Sequence, residues 1–115
     1  LALVDQIHRI LRPNGRWIAH TVNAESPFFG RIRYGDFTHE QAFTRTSIGQ
    51  LLLSSGFRVI SCYEDAPIVH GLKSAARWIV WKVMRGMMRV YLAAETGSLD
   101  RSVILSQNFL IVATK

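Results

Sequence analysis

A chain of 115 residues with 49% hydrophobic and 19% charged residues is long enough for one globular domain and too apolar to be disordered. Its net charge of +6 attracts polyanions, whether nucleic acid, anionic lipid or a phosphorylated substrate, but carries no information about fold. The single cysteine, Cys62, excludes an intramolecular disulfide and a cysteine-based zinc site, and fits a reducing cytoplasm.

The charges scattered through LALVDQIHRILRPNG exclude the uninterrupted apolar stretch of a signal peptide. Leu3, Val4, Ile7, Ile10 and Leu11 recur instead at helical spacing, leaving Asp5, His8, Arg9 and Arg12 on the wetter side. Because the chain begins inside this periodic pattern without an initiator methionine, the expectation is a fragment of a longer protein. Pro13 ends the helix and Asn14-Gly15 supplies a turn with positive φ. Trp17 to Val22, crowded with aromatic and β-branched residues, reads as a buried strand. Helix, tight turn and strand make one half of a doubly wound α/β unit.

From Asn23 to Thr44 the polar and aromatic residues show no sustained period, which predicts a loop of about twenty residues, a length usually tied to function. It starts at the carboxyl end of a strand, where open α/β sheets bind ligands. Thr46 or Ser47 is the expected N-cap of a helix through Ile48, Leu51, Leu52 and Leu53, stopped by Gly56. Phe57 to Tyr63 reads as a second strand and Asn108 to Thr114 as a last one. Between them a helix is expected over residues 72–94. Its apolar face (Leu72, Ala76, Ile79, Val80, Val83, Met87, Val90 and Ala94) is expected to pack on the core, with Lys82, Arg85 and Arg89 on a solvated basic back beside Trp78. The helix is too charged to span a bilayer, but its basic face also suits an anionic membrane surface.

The order of LRPNG, the strand RWIAHTV, the loop RYGDFTHEQAF, a helix and SSGF resembles the C-terminal half of class I S-adenosylmethionine-dependent methyltransferases. The similarity runs from about Val4 to Tyr63 and resumes in NFLIVATK. It implies a Rossmann-like α/β fold in which the three strands correspond to the family's fifth, sixth and seventh. The last of them, Phe109 to Ala113, would run antiparallel between the other two. It also implies a division into a family core at 1–67, a helical insertion at 68–106 and the final strand at 107–115. The family's glycine-rich loop after a first strand and its acidic residue at the end of a second have no counterpart here. The cofactor, S-adenosyl-L-methionine, would therefore be bound mainly by residues this chain lacks, and the chain by itself would be inactive.

Methyl transfer requires an aligned nucleophile and, for a hydroxyl or amine, removal of its proton. His39, a side chain that titrates near neutral pH, is the candidate general base, oriented by Asp36 or Glu40; the alternative, which the resemblance implies, is a histidine that serves loop structure or helix capping. Asn23, directly after the first strand, and Arg31, Arg33, Tyr34, Asp36 and Phe37 in the loop are the candidate substrate contacts, Asn23 having the alternative of an Asx-turn that opens the loop. The two arginines suit a phosphate or carboxylate. Phe28, Phe29, Tyr34 and Phe37 could together form an apolar lid or acceptor platform, or pack on residues this chain lacks. His20 is expected to be buried in its strand, the alternative being that it points toward the site from the strand's carboxyl end. Asp36, His39 and Glu40 with His20 or His70 match no ligand spacing, so no metal is expected. The acceptor would be a small molecule, a saccharide or a lipid-linked compound, in a cytoplasmic protein at the membrane periphery; nucleic acid is disfavoured. The competing reading is a noncatalytic module that docks helix 72–94 on anionic membrane or nucleic acid.

Overall fold

In the computed structural model, which describes residues 2–38 and 40–115, the first apolar pattern forms α1 (Ala2–Ile10). Asn14 takes a positive φ of 61° in the turn that follows, a conformation asparagine tolerates better than most residues. β1 (Arg16–Val22), α2 (Phe29–Arg33), α3 (Arg45–Ser54), β2 (Val59–Glu64), α4 (Leu72–Thr96) and β3 (Asn108–Thr114) complete the chain. The strand order is β1-β3-β2, with β3 antiparallel to both neighbours. β1 and β2 are therefore parallel to each other, and the chain's last segment fills the gap between them. This is the α/β architecture, with the last strand antiparallel between the other two, that the sequence implies.

Alternation along the strands separates two sheet faces. Trp17 and Ala19 of β1, Ile60 and Cys62 of β2, and Phe109, Ile111 and Ala113 of β3 point to one face. There they meet Val4 and Ile7 of α1, Ile48 and Leu52 of α3, and Phe57, which together form the core. Leu3 and Ile10, expected on the same helical stripe as Val4, are exposed instead. They sit about 100° around α1 from the Val4–Leu11 line, beyond the reach of this sheet. Ile18, Val59 and Tyr63 on the second sheet face are also open to solvent.

Local chemistry explains the boundaries. α3 starts earlier than expected because Thr44, not Thr46 or Ser47, is its N-cap. The Thr44 hydroxyl accepts from the Ser47 amide at 3.0 Å, and the Ser47 hydroxyl accepts from the Thr44 amide at 2.9 Å. Gly56 ends the α3 turn at φ +95°, and a Cβ there would stand 3.0 Å from the His8 ring. At the start of α4 the Ser74 hydroxyl accepts from the amides of His70 and Gly71. Gly97, at φ 72°, closes its other end.

α4 corrects the sequence reading. No residue of it is buried, and the face expected in the core is the one turned outward, with Leu72 93% exposed. The half-buried side carries Trp78, Trp81, Arg85, Met88 and Leu92, a second stripe at helical spacing. Two tryptophans and a methionine supply more contact area than the valines opposite. The Arg85 guanidinium reaches the Glu64 carboxylate, whose other oxygen accepts from the Leu105 amide at 2.8 Å. Arg89 donates to the Arg101 carbonyl, so two of the three cations assigned to a solvated back are engaged within the protein. The loop after β1 also differs from expectation. It holds the five-residue α2, and its base is closed by a parallel bridge between Asn23 and Phe43.

The chain exposes 8261 Å², against roughly 6,300 Å² for a compact monomer of its mass. Its radius of gyration is 16.1 Å, where roughly 13 Å is usual for this length.

Candidate functional site

Because β1 and β2 are parallel, both deliver their carboxyl ends to one edge of the sheet, the edge at which β3 begins. A cleft of about 410 Å³ opens there. Its walls are Pro27 and Phe28 from the loop after β1, Asp65 and Pro67 after β2, the inner side of α4, and residues 105–108 leading into β3. The lining is largely apolar, with a few polar groups at its rim, the usual character of a small-molecule site.

His20 stands near this edge, not buried in its strand as expected but half exposed on the open sheet face. Its Nε2 lies 3.2 Å from Oδ2 of Asp65, which lines the cleft. The Asp65 amide donates to the Ser106 hydroxyl at 3.1 Å, and that hydroxyl donates to the Asn108 carbonyl at 2.6 Å. The histidine and carboxylate are thus held by three separate segments.

The residues expected to contact substrate lie elsewhere. Asn23 is fully buried, and its amide nitrogen donates to the carbonyls of Ile104 at 2.7 Å and Ser106 at 2.9 Å. Its side-chain oxygen accepts from the Glu25 amide at 3.0 Å, so the whole group ties the loop to the strap before β3. Arg33 donates to the Glu40 carbonyl at 2.7 Å and lies over the Tyr34 ring. Arg31 is exposed on α2. Asp36 accepts from both the amide and hydroxyl of Thr38, each at 2.9 Å, and shapes a turn. Phe37 is 95% exposed. Of the four loop aromatics considered as a lid, only Phe28 lines the cleft. His39 lies outside the described residues.

Trp81, Met84 and Arg85 of the cleft wall were missed by sequence reasoning. Their signal was the stripe Trp78, Trp81, Arg85, Met88, which competes with the valine-rich stripe for the inward position. The composition of both faces allows either choice. Among the described residues, no three of His, Cys, Asp and Glu gather in a way that could hold a metal ion. No described helix is long and apolar enough to cross a membrane.

No protein-family model matches the chain, and no curated protein does. Among solved structures it is similar to the crystal structure of a SAM dependent methyltransferase from Archaeoglobus fulgidus, with a TM-score of 0.57 at 17% identity. The likeness covers 98% of this chain and 50% of the other, so the chain spans about half the length of that methyltransferase. At such identity the similarity is one of fold: the helices and the β1-β3-β2 sheet form a methyltransferase-like α/β arrangement.

Proposed function

We propose that this chain is the acceptor-side half of an S-adenosylmethionine-dependent methyltransferase whose acceptor is a small molecule, a saccharide or a lipid-linked compound. The observation that carries this reading is the sheet itself. A final strand inserted antiparallel between two parallel ones agrees with the methyltransferase fold over nearly the whole chain. The exposed faces of α1 and of the sheet, with β1 as an edge strand, fit a domain continued by further strands and helices.

The residues present do not make a cofactor pocket. No glycine-rich turn joins a strand to a helix, the Asn23 amide after β1 is fully engaged, and Asp65 after β2 is paired with His20. The cofactor would be held mainly by upstream residues, and the isolated chain would be inactive.

What this chain offers is the acceptor side. Phe28 and Trp81 provide apolar walls, and the inner side of α4 shields the cleft from water. His20 does not itself line the cleft, but it meets Asp65, which does; in the tautomer that donates Nε2–H to Asp65, Nδ1 would carry a lone pair able to take a proton from an acceptor hydroxyl or amine. This contact makes His20 a second candidate base beside His39, which lies outside the described residues.

Calorimetric titration of S-adenosylhomocysteine into this chain, and into a version extended upstream, tests the reading. Binding to the extended form alone is the expected result; binding to neither would overturn it and favour the noncatalytic module. In an active extended form, His20→Asn should lower turnover of a hydroxyl acceptor by about 10²–10⁴-fold.

A further inference from the structure

Leu72, Ile79, Val80, Val83, Met87 and Val90 form one continuous exposed apolar stripe along α4. At 1.5 Å per residue this helix of 25 residues is about 37 Å long. The stripe continues at its start into Ile68 and Val69, also exposed. A single exposed valine needs no explanation, but a face of this length marks a contact surface.

The charges that frame the stripe point to its occupant. α4 contains no acidic residue before Glu95 in its last turn. Of its five cations, Arg85 is neutralised by Glu64 and Arg89 is tied to a backbone carbonyl, both on the inner side. Lys73, Arg77 and Lys82 remain exposed, and among the described residues none of them has a carboxylate partner, although the Lys82 ammonium stands 4.9 Å over the Trp78 ring. On a helical projection Lys73 and Arg77 border one side of the apolar face and Lys82 the other. Tyr91, with its apolar ring and polar hydroxyl, lies on the Lys73 side and is also exposed.

We infer that α4 lies along an anionic membrane surface, its apolar face inserted at the level of the headgroups and Lys73, Arg77 and Lys82, which have no carboxylate partner among the described residues, against lipid phosphates. An amphipathic helix with an apolar face and a cationic border is the form such contact takes. Two other occupants fit less well. A second copy in parallel pairing would oppose cation to cation across the same face, and in antiparallel pairing would still set Lys82 against Lys82 near the middle of the helix. Further strands of a larger sheet would add at the open edge of β1, whereas α4 is fastened to the opposite edge strand, β2, through Arg85 and Glu64. The cleft opens on the inner side of α4, so a docked helix would set it close to the bilayer. The inference does not depend on the methyl-transfer reading.

Vesicle flotation of the 115-residue chain tests it. Vesicles of phosphatidylcholine alone are compared with an equal mixture of phosphatidylcholine and phosphatidylglycerol, at low and high salt. The chain should float with the anionic vesicles and be released by salt. Replacing Lys73, Arg77 and Lys82 together by Gln should weaken binding by about a hundredfold, since each cation near the surface is worth about fivefold. Val83→Gln with Met87→Gln should weaken it by about tenfold or more. Gln is a good helix former and both sites are exposed, so the far-UV spectrum should not change. No flotation with anionic vesicles, or flotation indifferent to both sets of substitutions, would overturn the inference. So would a sedimentation dimer that the Gln pair dissolves, which would assign the face to a second copy.

Discussion

Asn23 shows how a polar residue in a loop can be architecture. It follows β1 at the position where a substrate contact is expected, yet its amide is consumed by two carbonyls and one amide of the chain itself. Asn23→Ala would leave buried carbonyls without donors and should destabilise the fold by about 2–4 kcal/mol, measured by urea unfolding. Cys62 allows a pH-dependent check. Burial raises its thiol pKa, and the positive charge of Arg45 opposes that only in part. The nucleophile is the thiolate, so alkylation by iodoacetamide should be slow at neutral pH and should accelerate only above the pH at which a free cysteine reacts. A rate at pH 7 equal to that of a free thiol would contradict the burial. Lys115 is a smaller case: its ammonium donates to the carbonyls of Leu11 and Arg9 and complements the negative end of α1.

Among the elements, α3 and α4 are held by different means. α3 is anchored by Ile48 and Leu52 in the core and by the reciprocal Thr44–Ser47 cap. Removing the cap with Thr44→Ala should cost about 1 kcal/mol and lower the melting temperature without changing the fold. α4 has no buried residue and relies on half-buried tryptophans and the Arg85–Glu64 pair, both of whose side chains are largely shielded from water. Arg85→Met would leave the carboxylate of Glu64 without its cation. We expect a loss of about 2 kcal/mol, concentrated in α4, where hydrogen exchange should quicken more than in β3. Exchange that quickens equally in both would mean that α4 unfolds only with the sheet. The same comparison explains why the orientation of α4 was illegible. The helix is amphipathic in two directions, and no local rule says which stripe meets the protein.

On the scale of the whole molecule, the accessible surface and radius of gyration both exceed those of a compact chain of this mass. Among the exposed apolar areas are the outer side of α4 and the uncovered sheet face with Ile18, Val59 and Tyr63. The first is bordered by Lys73, Arg77 and Lys82 and the second by Arg16 alone on β1, so the two should respond differently to partners. The chain should bind the hydrophobic dye ANS, and if the proposed half-domain reading holds, a version extended upstream should bind less by covering the sheet face. Vesicles should reduce it by covering α4. Equal dye binding by the two chain lengths would show that upstream residues do not pack on the sheet.

The strands and most helix limits were decided by the sequence alone. Proline at position 13, the Asn14-Gly15 turn, Gly56 and the β-branched runs act within a few residues and leave few local alternatives. The place of β3 between β1 and β2 was legible through the family resemblance, because order and spacing of motifs carry topology even when identity is low. The site was not legible in the same way. Whether Asn23 contacts substrate or braces a strap, whether His20 is buried or meets Asp65, and which side of α4 faces inward all turn on residues 40 or more positions apart, or on the competition between two apolar surfaces for one partner. Local periodicity sets the separation of faces along a helix or strand, but the choice of buried face depends on what the rest of the fold presents to it. Only the tertiary structure decided that.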